Sequence, residues 1–219
     1  MSSKPQELKN KVTADFEADK KAFHETMAKA QSHIDTATAE INKLRADLKT
    51  EAAESKTKTM ARLDELTKNL DAARKDQQAE IEARLKGLHK DIESIIAELK
   101  RASAEERVAV EATAKTVREE CNIVRGTLIA SLEAELAEWK ARIGTAVDAA
   151  AGKKASSKAA IQAKIADMHS KHDAAQKKLH ALKQANAEAF DELHHGVRTA
   201  IADVKTAVQH ARADIAAGS

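Results

Sequence analysis

Aromatic residues, prolines, glycines and cysteines are all scarce in this chain of 219 residues. It contains three Phe, one Trp and no Tyr. Proteins that stack the bases of single-stranded nucleic acid on their side chains use more aromatic rings than this. With Pro5 as the only proline and six glycines, few positions prevent a helix from continuing. The composition therefore argues against base stacking and favours long helices.

The sequence also lacks the features of a disulfide framework and of a membrane span. Cys121 is the only cysteine, so no intrachain disulfide can form. No run approaches the ~20 apolar residues with which a helix crosses a bilayer. The first eight residues do not contain the apolar core of a secretory signal. We therefore expect a cytoplasmic location.

Large apolar residues are few, since Leu, Ile, Val and Phe together number 40 of the 219. Chains with less than about 20% of these residues rarely fill a globular core, and many are disordered. Disorder, however, favours a large net charge and frequent proline. Here 37 basic and 35 acidic side chains leave a net charge of only +2. A narrow seam between long helices needs fewer large apolar side chains, and abundant Ala, Lys and Glu favour helix.

What the sequence does contain is an apolar stripe that advances in alternating steps of three and four residues. It is clearest in two runs: Ile81, Leu85, Leu88, Ile92, Ile95 and Leu99; then Ile161, Ile165, Met168, His172, Ala175, Leu179 and Leu182. This period is typical of long amphipathic helices packed side by side. The sequence predicts an all-α fold, elongated, with three or four long helices arranged as antiparallel coiled-coil hairpins or a long helical bundle.

Interruptions of the stripe divide the chain into segments. We expect a disordered N-terminus at 1–5, a long helical region at 6–150, a turn at 151–157 and one long C-terminal helix at 158–216. Within the second segment, residues 50–59 and 101–104 are either turns or continuous helix, and both alternatives stay open.

Each proposed interruption has its own signal. Large apolar residues lapse between Leu48 and Met60, and Ser103 with Glu106 has the spacing of a capping box. Gly152 is suited to end a helix. In addition, residues 104–150 carry a net charge of −3 and residues 151–219 a net charge of +4. Opposite charge favours packing of these two segments against each other across the turn.

The heptapeptide pattern L-K-x-x-x-A-E occurs three times, beginning at Leu48, Leu99 and Leu182. Chance is one explanation in a chain composed mainly of these residue types. Duplication of a helical unit is the other, and the sequence leaves both open.

Histidine is the first candidate ligand for a metal ion. Six of the nine lie in the last segment: His169, His172, His180, His194, His195 and His210. Glu192 and His195 form an E-x-x-H motif, but carboxylate-bridged di-metal bundles need two such motifs and two further inward-facing glutamates. We therefore interpret these histidines as residues of the surface or the seam edge, and predict no metal site and no cofactor. The segment becomes more positive below about pH 6.5.

Two other residues are candidates because they are unique or nearly so. Cys121 lies on the stripe between Val117 and Val124, and Trp139 lies between Leu136 and Ile143. Both positions predict core packing, and no neighbouring His and acid form a nucleophile system with the thiol. We predict no catalytic residue and no enzymatic activity.

Phosphate and nucleic-acid binding have little support. Neither G-x-x-x-x-G-K-[ST] nor G-x-G-x-x-G occurs. The basic pairs Lys153–Lys154 and Lys177–Lys178 belong to a sequence in which basic and acidic residues alternate, which predicts a solvated face.

Lipid is a stronger alternative, because exchangeable apolipoproteins and granule-coating phasins cover apolar surfaces with Ala/Lys/Glu-rich helices. The apolar faces of these helices are narrow and rich in Ala. They would therefore bury little apolar area against lipid, and burial stabilises by only ~25 cal/mol per Å².

The segment 177–207 resembles small bacterial coiled-coil proteins associated with stress. Their pattern is L-x-x-L-K-x-A-x-x-E-A-[aromatic]-x-x-L-x-x-G-[hydrophobic]-x-x-A. It falls here on Leu179, Leu182, Lys183, Ala185, Glu188, Ala189, Phe190, Leu193, Gly196, Val197 and Ala200. The match covers about one seventh of the chain, and Phe190 stands where the pattern often has Trp. That family has no established catalytic site, so the resemblance implies a structural role. More loosely, the whole chain resembles bacterial apolipoprotein-like helical proteins.

The sequence thus predicts a non-catalytic cytoplasmic coiled-coil protein with a structural or interaction role, associated with stress through the resemblance. Its expected partners are a second copy of itself or another helical protein. The alternative is an amphipathic-helix protein that coats lipid or polyester granules.

Overall fold

A computed structural model describes residues 4–50, 53–101, 103–151 and 155–217. These residues form five helices: α1 (Lys4–Thr50), α2 (Ala53–Leu99), α3 (Ala104–Ala151), α4 (Ala155–Lys183) and α5 (Phe190–Ala217). No strand occurs in the described ranges, so the all-α prediction is confirmed. Within the same ranges, no helix is both long enough and apolar enough to span a bilayer.

The chain divides into two compact units, Met1–Thr127 and Leu128–Ser219. The first unit contains α1, α2 and the beginning of α3. Its α1–α2 core is a cluster of Ile34, Ile41, Leu63 and Leu70. Gln77 of α2 donates to Gln31 of α1, and Arg62 of α2 pairs with Glu40 of α1. As residue numbers rise along α1 their partners fall along α2, so these two helices run in opposite directions.

The second unit contains the remainder of α3 together with α4 and α5. α4 and α5 pack along each other, and Lys164 of α4 pairs with Asp214 near the end of α5. Buried apolar residues recur along both helices: Ile161, Met168, Ala175, Leu179 and Leu182 on α4, and Phe190, Val197, Ile201, Val204, Val208, Ala211 and Ile215 on α5. These two helices also run in opposite directions.

The prediction of one C-terminal helix over 158–216 is wrong. α4 ends at Lys183, residues 184–189 form a turn, and α5 begins at Phe190. The side-chain oxygen of Asn186 accepts a hydrogen bond from the backbone N–H of Ala189 at 2.9 Å, which stabilises the start of α5. The fold-back also buries Phe190, and this tertiary burial outweighs the helix propensity of the intervening residues.

The two alternatives left open by the sequence both correspond to helix ends. α1 ends at Thr50 and α2 begins at Ala53, while α2 ends at Leu99 and α3 begins at Ala104. The turn predicted at 151–157 is shorter than expected, since α3 still includes Ala151 and α4 begins at Ala155.

Some of the predicted boundaries fall partly outside the described residues. Of the N-terminus expected to be disordered, residues 1–3 lie outside them, but Lys4 and Pro5 belong to α1, so the prediction is wrong for these two. Gly152, Lys153 and Lys154 also lie outside the described residues.

The L-K-x-x-x-A-E pattern coincides with helix ends. Leu99 is the last residue of α2, and Leu48 and Leu182 lie in the last turn of α1 and α4. α2, α3 and α4 begin at Ala53, Ala104 and Ala155, which are 51 residues apart. The third pattern, at Leu182, does not follow this spacing and precedes α5, so duplication and chance both stay open.

Candidate functional site

The histidines of the last segment do not converge on one point. His169, His180, His195 and His210 are exposed, as is Glu192 of the E-x-x-H motif. His194 is half-buried, with its ring stacked on Phe190 at 6.4 Å between centroids. No group of three or more His, Cys, Asp or Glu side chains suited to hold a metal ion occurs among the residues that the structure describes.

His172 is the exception, because it is 4% exposed. Its Nε2 lies 3.2 Å from the carbonyl oxygen of Leu136 on α3. A carbonyl oxygen only accepts, so Nε2 carries the proton and donates. Its Nδ1 lies 3.7 Å from the carboxylate of Asp173. The ring therefore joins α4 to α3 inside the second unit, a packing position that the stripe already indicated.

An open groove of about 490 Å³ runs between α3 and α4 beside His172. Its polar rim includes Glu133, Lys140, His180 and Lys183, and its floor includes Leu136 and Leu179. Glu133 and Lys183 pair across it. The groove lining thus carries charges of both signs, and the Glu133–Lys183 pair joins α3 to α4.

The most unusual group of the first unit is Glu120 on α3, whose side chain is 0% exposed. Lys20 Nζ lies 3.6 Å from its Oε2, and His24 Nε2 lies 3.1 Å from its Oε1; both partners are on α1. Neither carboxylate oxygen has a hydrogen bond of good geometry in the described residues, so the attraction is chiefly coulombic. Removing a carboxylate from water is costly, and the nearby Lys20 ammonium offsets part of that cost.

The second unit contains a buried pair on α3 itself. Arg142 Nε donates to Glu138 Oε1 at 3.0 Å, one helical turn away. The guanidinium carbon lies 4.1 Å from the centroid of the Trp139 ring, a cation–π contact. All three side chains are buried, and Trp139 is 2% exposed, so its predicted place in the core is confirmed.

The Cys121 side chain is 3% exposed, so its predicted burial is also confirmed. The two exposed lysines Lys177 and Lys178 lie on the solvated face of α4, as expected.

One carboxyl group of the first unit has a displaced pKa. Burial raises the pKa of Asp91 above its usual 3.8; the Arg84 guanidinium opposes this shift, and Asp19 adds to it. Arg84 also lies over the Phe16 ring, 5.4 Å from its centroid. These side chains lie at the contact between two helices, since Phe16 and Asp19 belong to α1 whereas Arg84 and Asp91 belong to α2.

Sequence reasoning missed Glu120, Glu138 and Arg142. Glu120 directly precedes Cys121 and Glu138 directly precedes Trp139, so each lies one residue from the stripe. α3 buries a wider arc than one stripe, which draws in these neighbours. A signal was present in the spacing of Glu138 and Arg142, four residues apart around the single Trp, which matches an i, i+4 ion pair.

No family model, curated protein or solved structure matches this chain. Its function is therefore inferred from its own residues.

Proposed function

We propose that this chain is a non-catalytic cytoplasmic coiled-coil protein with a structural or interaction role. In this proposal its helices form elongated antiparallel hairpins, and its partner is a second copy of the chain or another helical protein. A role in stress rests on the resemblance of segment 177–207 alone. The cytoplasmic location rests on the sequence alone, which contains a single cysteine.

One observation carries the proposal: the helices are long, and their inward-facing side chains pack against neighbouring helices. α1, α2 and α3 contain 47, 47 and 48 residues, far above the 10–14 residues of an average helix. Helices of this length depend on partners along their apolar side for stability. The buried ionisable groups Glu120, Glu138 and Arg142 pair with neighbouring charges. Of these pairs, Glu120 with Lys20 joins α3 to α1, and a buried pair between helices favours one alignment of the two.

The hairpin arrangement is supported by contacts inside each unit. α1 and α2 run in opposite directions, as do α4 and α5. In the second unit Glu133 of α3 pairs with Lys183 of α4, in the sense expected from the opposite net charges of segments 104–150 and 151–219.

Light scattering coupled to size-exclusion chromatography tests the proposal. The full chain should elute as an elongated particle, with a mass that is a multiple of its 23.7 kDa. Titration of salt should weaken association mediated by exposed charge and leave association through apolar side chains intact. A compact particle of monomer mass at every concentration would remove both the elongated form and self-association.

A coat on lipid or polyester granules is the second candidate, and α5 is the observation that favours it. Every buried residue of its described part is apolar. On α3, by contrast, Glu120, Glu138 and Arg142 interrupt the buried side and would be placed against lipid if the helices opened.

Flotation with anionic vesicles separates the two candidates. A coat protein floats with the vesicles and gains helicity, whereas a coiled-coil protein does neither. A granule-binding assay with polyester particles serves as the second arm.

A further inference from the structure

The connection between α4 and α5 is built from residues that favour helix. Residues 184–189 read Gln-Ala-Asn-Ala-Glu-Ala, with neither glycine nor proline, and five of the six are good helix formers. No described residue has a positive φ, so the turn does not depend on a left-handed position. Asn186 stabilises it through the hydrogen bond that its side chain accepts from Ala189. A continuous helix is therefore a close competitor of this turn.

The two arms of the hairpin are matched in length and in pattern. α4 has 29 residues and α5 has 28. Buried residues recur every seven positions on both: Ile161, Met168, Ala175 and Leu182, then Phe190, Val197, Val204 and Ala211. Leu182 and Phe190 are eight residues apart, one more than the seven-residue repeat. In an uninterrupted helix the buried residues of α5 would therefore be rotated by about 100° around the helix axis from those of α4. The two buried surfaces would then lie next to each other on one side of the helix.

Self-association needs an exposed apolar surface, and the residues that the structure describes provide little exposed apolar surface. The exposed large apolar side chains are Met60, Ile96, Val108 and Ile123, each isolated from the others in the sequence. Single exposed apolar residues are normal and do not form an interface. The α4–α5 seam is the larger apolar surface, but it is closed within the hairpin.

We propose that the hairpin opens at residues 184–189 and closes on the hairpin of a second copy of this chain. α5 of each copy then packs on α4 of the other, and the Lys164–Asp214 pair re-forms between copies. This exchange re-uses contacts already present, which makes it a low-cost route to a symmetric dimer. It rests on the proposed function, because it supplies the surface through which the protein associates with itself.

Paired spin labels on the full chain test the exchange. Ala163 and Ala213 are exposed and lie next to the paired residues Lys164 and Asp214, so labels at Ala163→Cys and Ala213→Cys are close across a closed hairpin. A Cys121→Ala background removes the native thiol. In an opened chain the same labels are about 75 Å apart along 50 residues of helix. The short distance in the dimer then joins different chains.

Mixing labelled chain with a tenfold excess of unlabelled chain, by unfolding and refolding them together, distinguishes the two arrangements. Exchange predicts that the short-distance signal of the dimer falls about tenfold. A short distance that survives dilution in the dimer overturns the exchange and leaves self-association standing. A chain that remains monomeric at every concentration overturns both.

Hinge variants give an independent readout that does not depend on labels. Asn186→Ala removes the capping oxygen, which favours the open form by about fivefold per hinge and the dimer by about 25-fold. Inserting Gly-Gly-Ser after Asn186 relaxes the turn and favours the closed monomer. Asn69→Ala, at an exposed position within α2, is the matched control and should leave the dimerisation constant unchanged. An unchanged constant in Asn186→Ala contradicts the exchange.

Discussion

Two glutamates of α3 in the second unit each face a cation, and burial distinguishes them. Glu138 pairs with Arg142 and both side chains are 6% exposed or less. Glu133 pairs with Lys183, and these side chains are 45% and 39% exposed. Because water screens the second pair and not the first, the same substitution should have different costs at the two positions.

Glu138→Ala should lower the free energy of unfolding by about 3–5 kcal/mol, since it leaves the Arg142 guanidinium buried without its carboxylate. Glu133→Ala, the matched control on the same helix, should cost about 1 kcal/mol or less. Urea unfolding followed by circular dichroism measures both. Equal losses would mean that burial of the Glu138 pair has no energetic consequence.

Asp91 predicts a stability that depends on pH with a definite sign. Its pKa is raised in the folded protein by burial, so folding disfavours the ionised form. The penalty is present at pH 7 and disappears as pH falls through the raised folded value towards 3.8.

Asp91→Asn removes that penalty and should therefore stabilise the protein at pH 7. The gain in free energy of unfolding should be no more than about 0.5 kcal/mol, because the Asp91 side chain is only partly buried. The gain should shrink near pH 3. Thermal unfolding at the two pH values measures it, with exposed Asp76→Asn on the same helix as the control. Destabilisation at pH 7 would show that attraction to Arg84 outweighs burial.

At the scale of the element, the glycines within the helices are informative because they have no packing role. A Cβ added at Gly87, Gly126, Gly144 or Gly196 meets nothing within 4 Å. Close contact with a neighbouring helix is therefore not the reason for glycine at these positions.

Gly87→Ala in α2 and Gly126→Ala in α3 should each raise the free energy of unfolding by about 0.5–1 kcal/mol, because Ala loses less backbone entropy in a helix. The reverse change at an exposed position of α3, Ala130→Gly, should lower it by a similar amount. Thermal unfolding measures all three. A loss of stability in Gly126→Ala would indicate that the residue has a role in the fold beyond helix propensity.

Helices were predictable from periodicity, and one connection was not. The stripe through Ile81 and Leu88 predicted α2. The lapse after Leu48 left a turn and a continuous helix both open, and the structure has a helix end there. The turn after Lys183 escaped because its residues are helix formers and no glycine or proline interrupts them. What decides that turn is tertiary burial of Phe190 together with the Asn186 cap, and neither can be read from local propensity.

Exposure was predictable at the E-x-x-H motif, since Glu192 and His195 are both exposed. His172, interpreted from the sequence as a residue of the surface or the seam edge, is instead buried. The buried charges were unexpected because burial of Glu120 depends on which residue of α1 approaches α3, and a helical period contains no information on that pairing. From the sequence alone, Lys20 and His24 are expected to be exposed, whereas in the fold both are half-buried.

At the scale of the whole molecule, composition and structure lead to the same account. A chain with 40 large aliphatic and Phe residues folds because long helices use them along seams. Of its 72 charged residues, most of those that the structure describes are exposed or half-buried. We propose that the chain acts by associating with itself or with another helical protein.

Sedimentation equilibrium of the full chain over a hundredfold range of concentration tests that claim most directly, in the absence and in the presence of anionic vesicles. The account predicts a reversible rise in mass from 23.7 kDa to a multiple of it, with no loss of protein to the vesicles. A constant monomer mass combined with complete transfer to the vesicles would contradict it and favour a lipid coat instead.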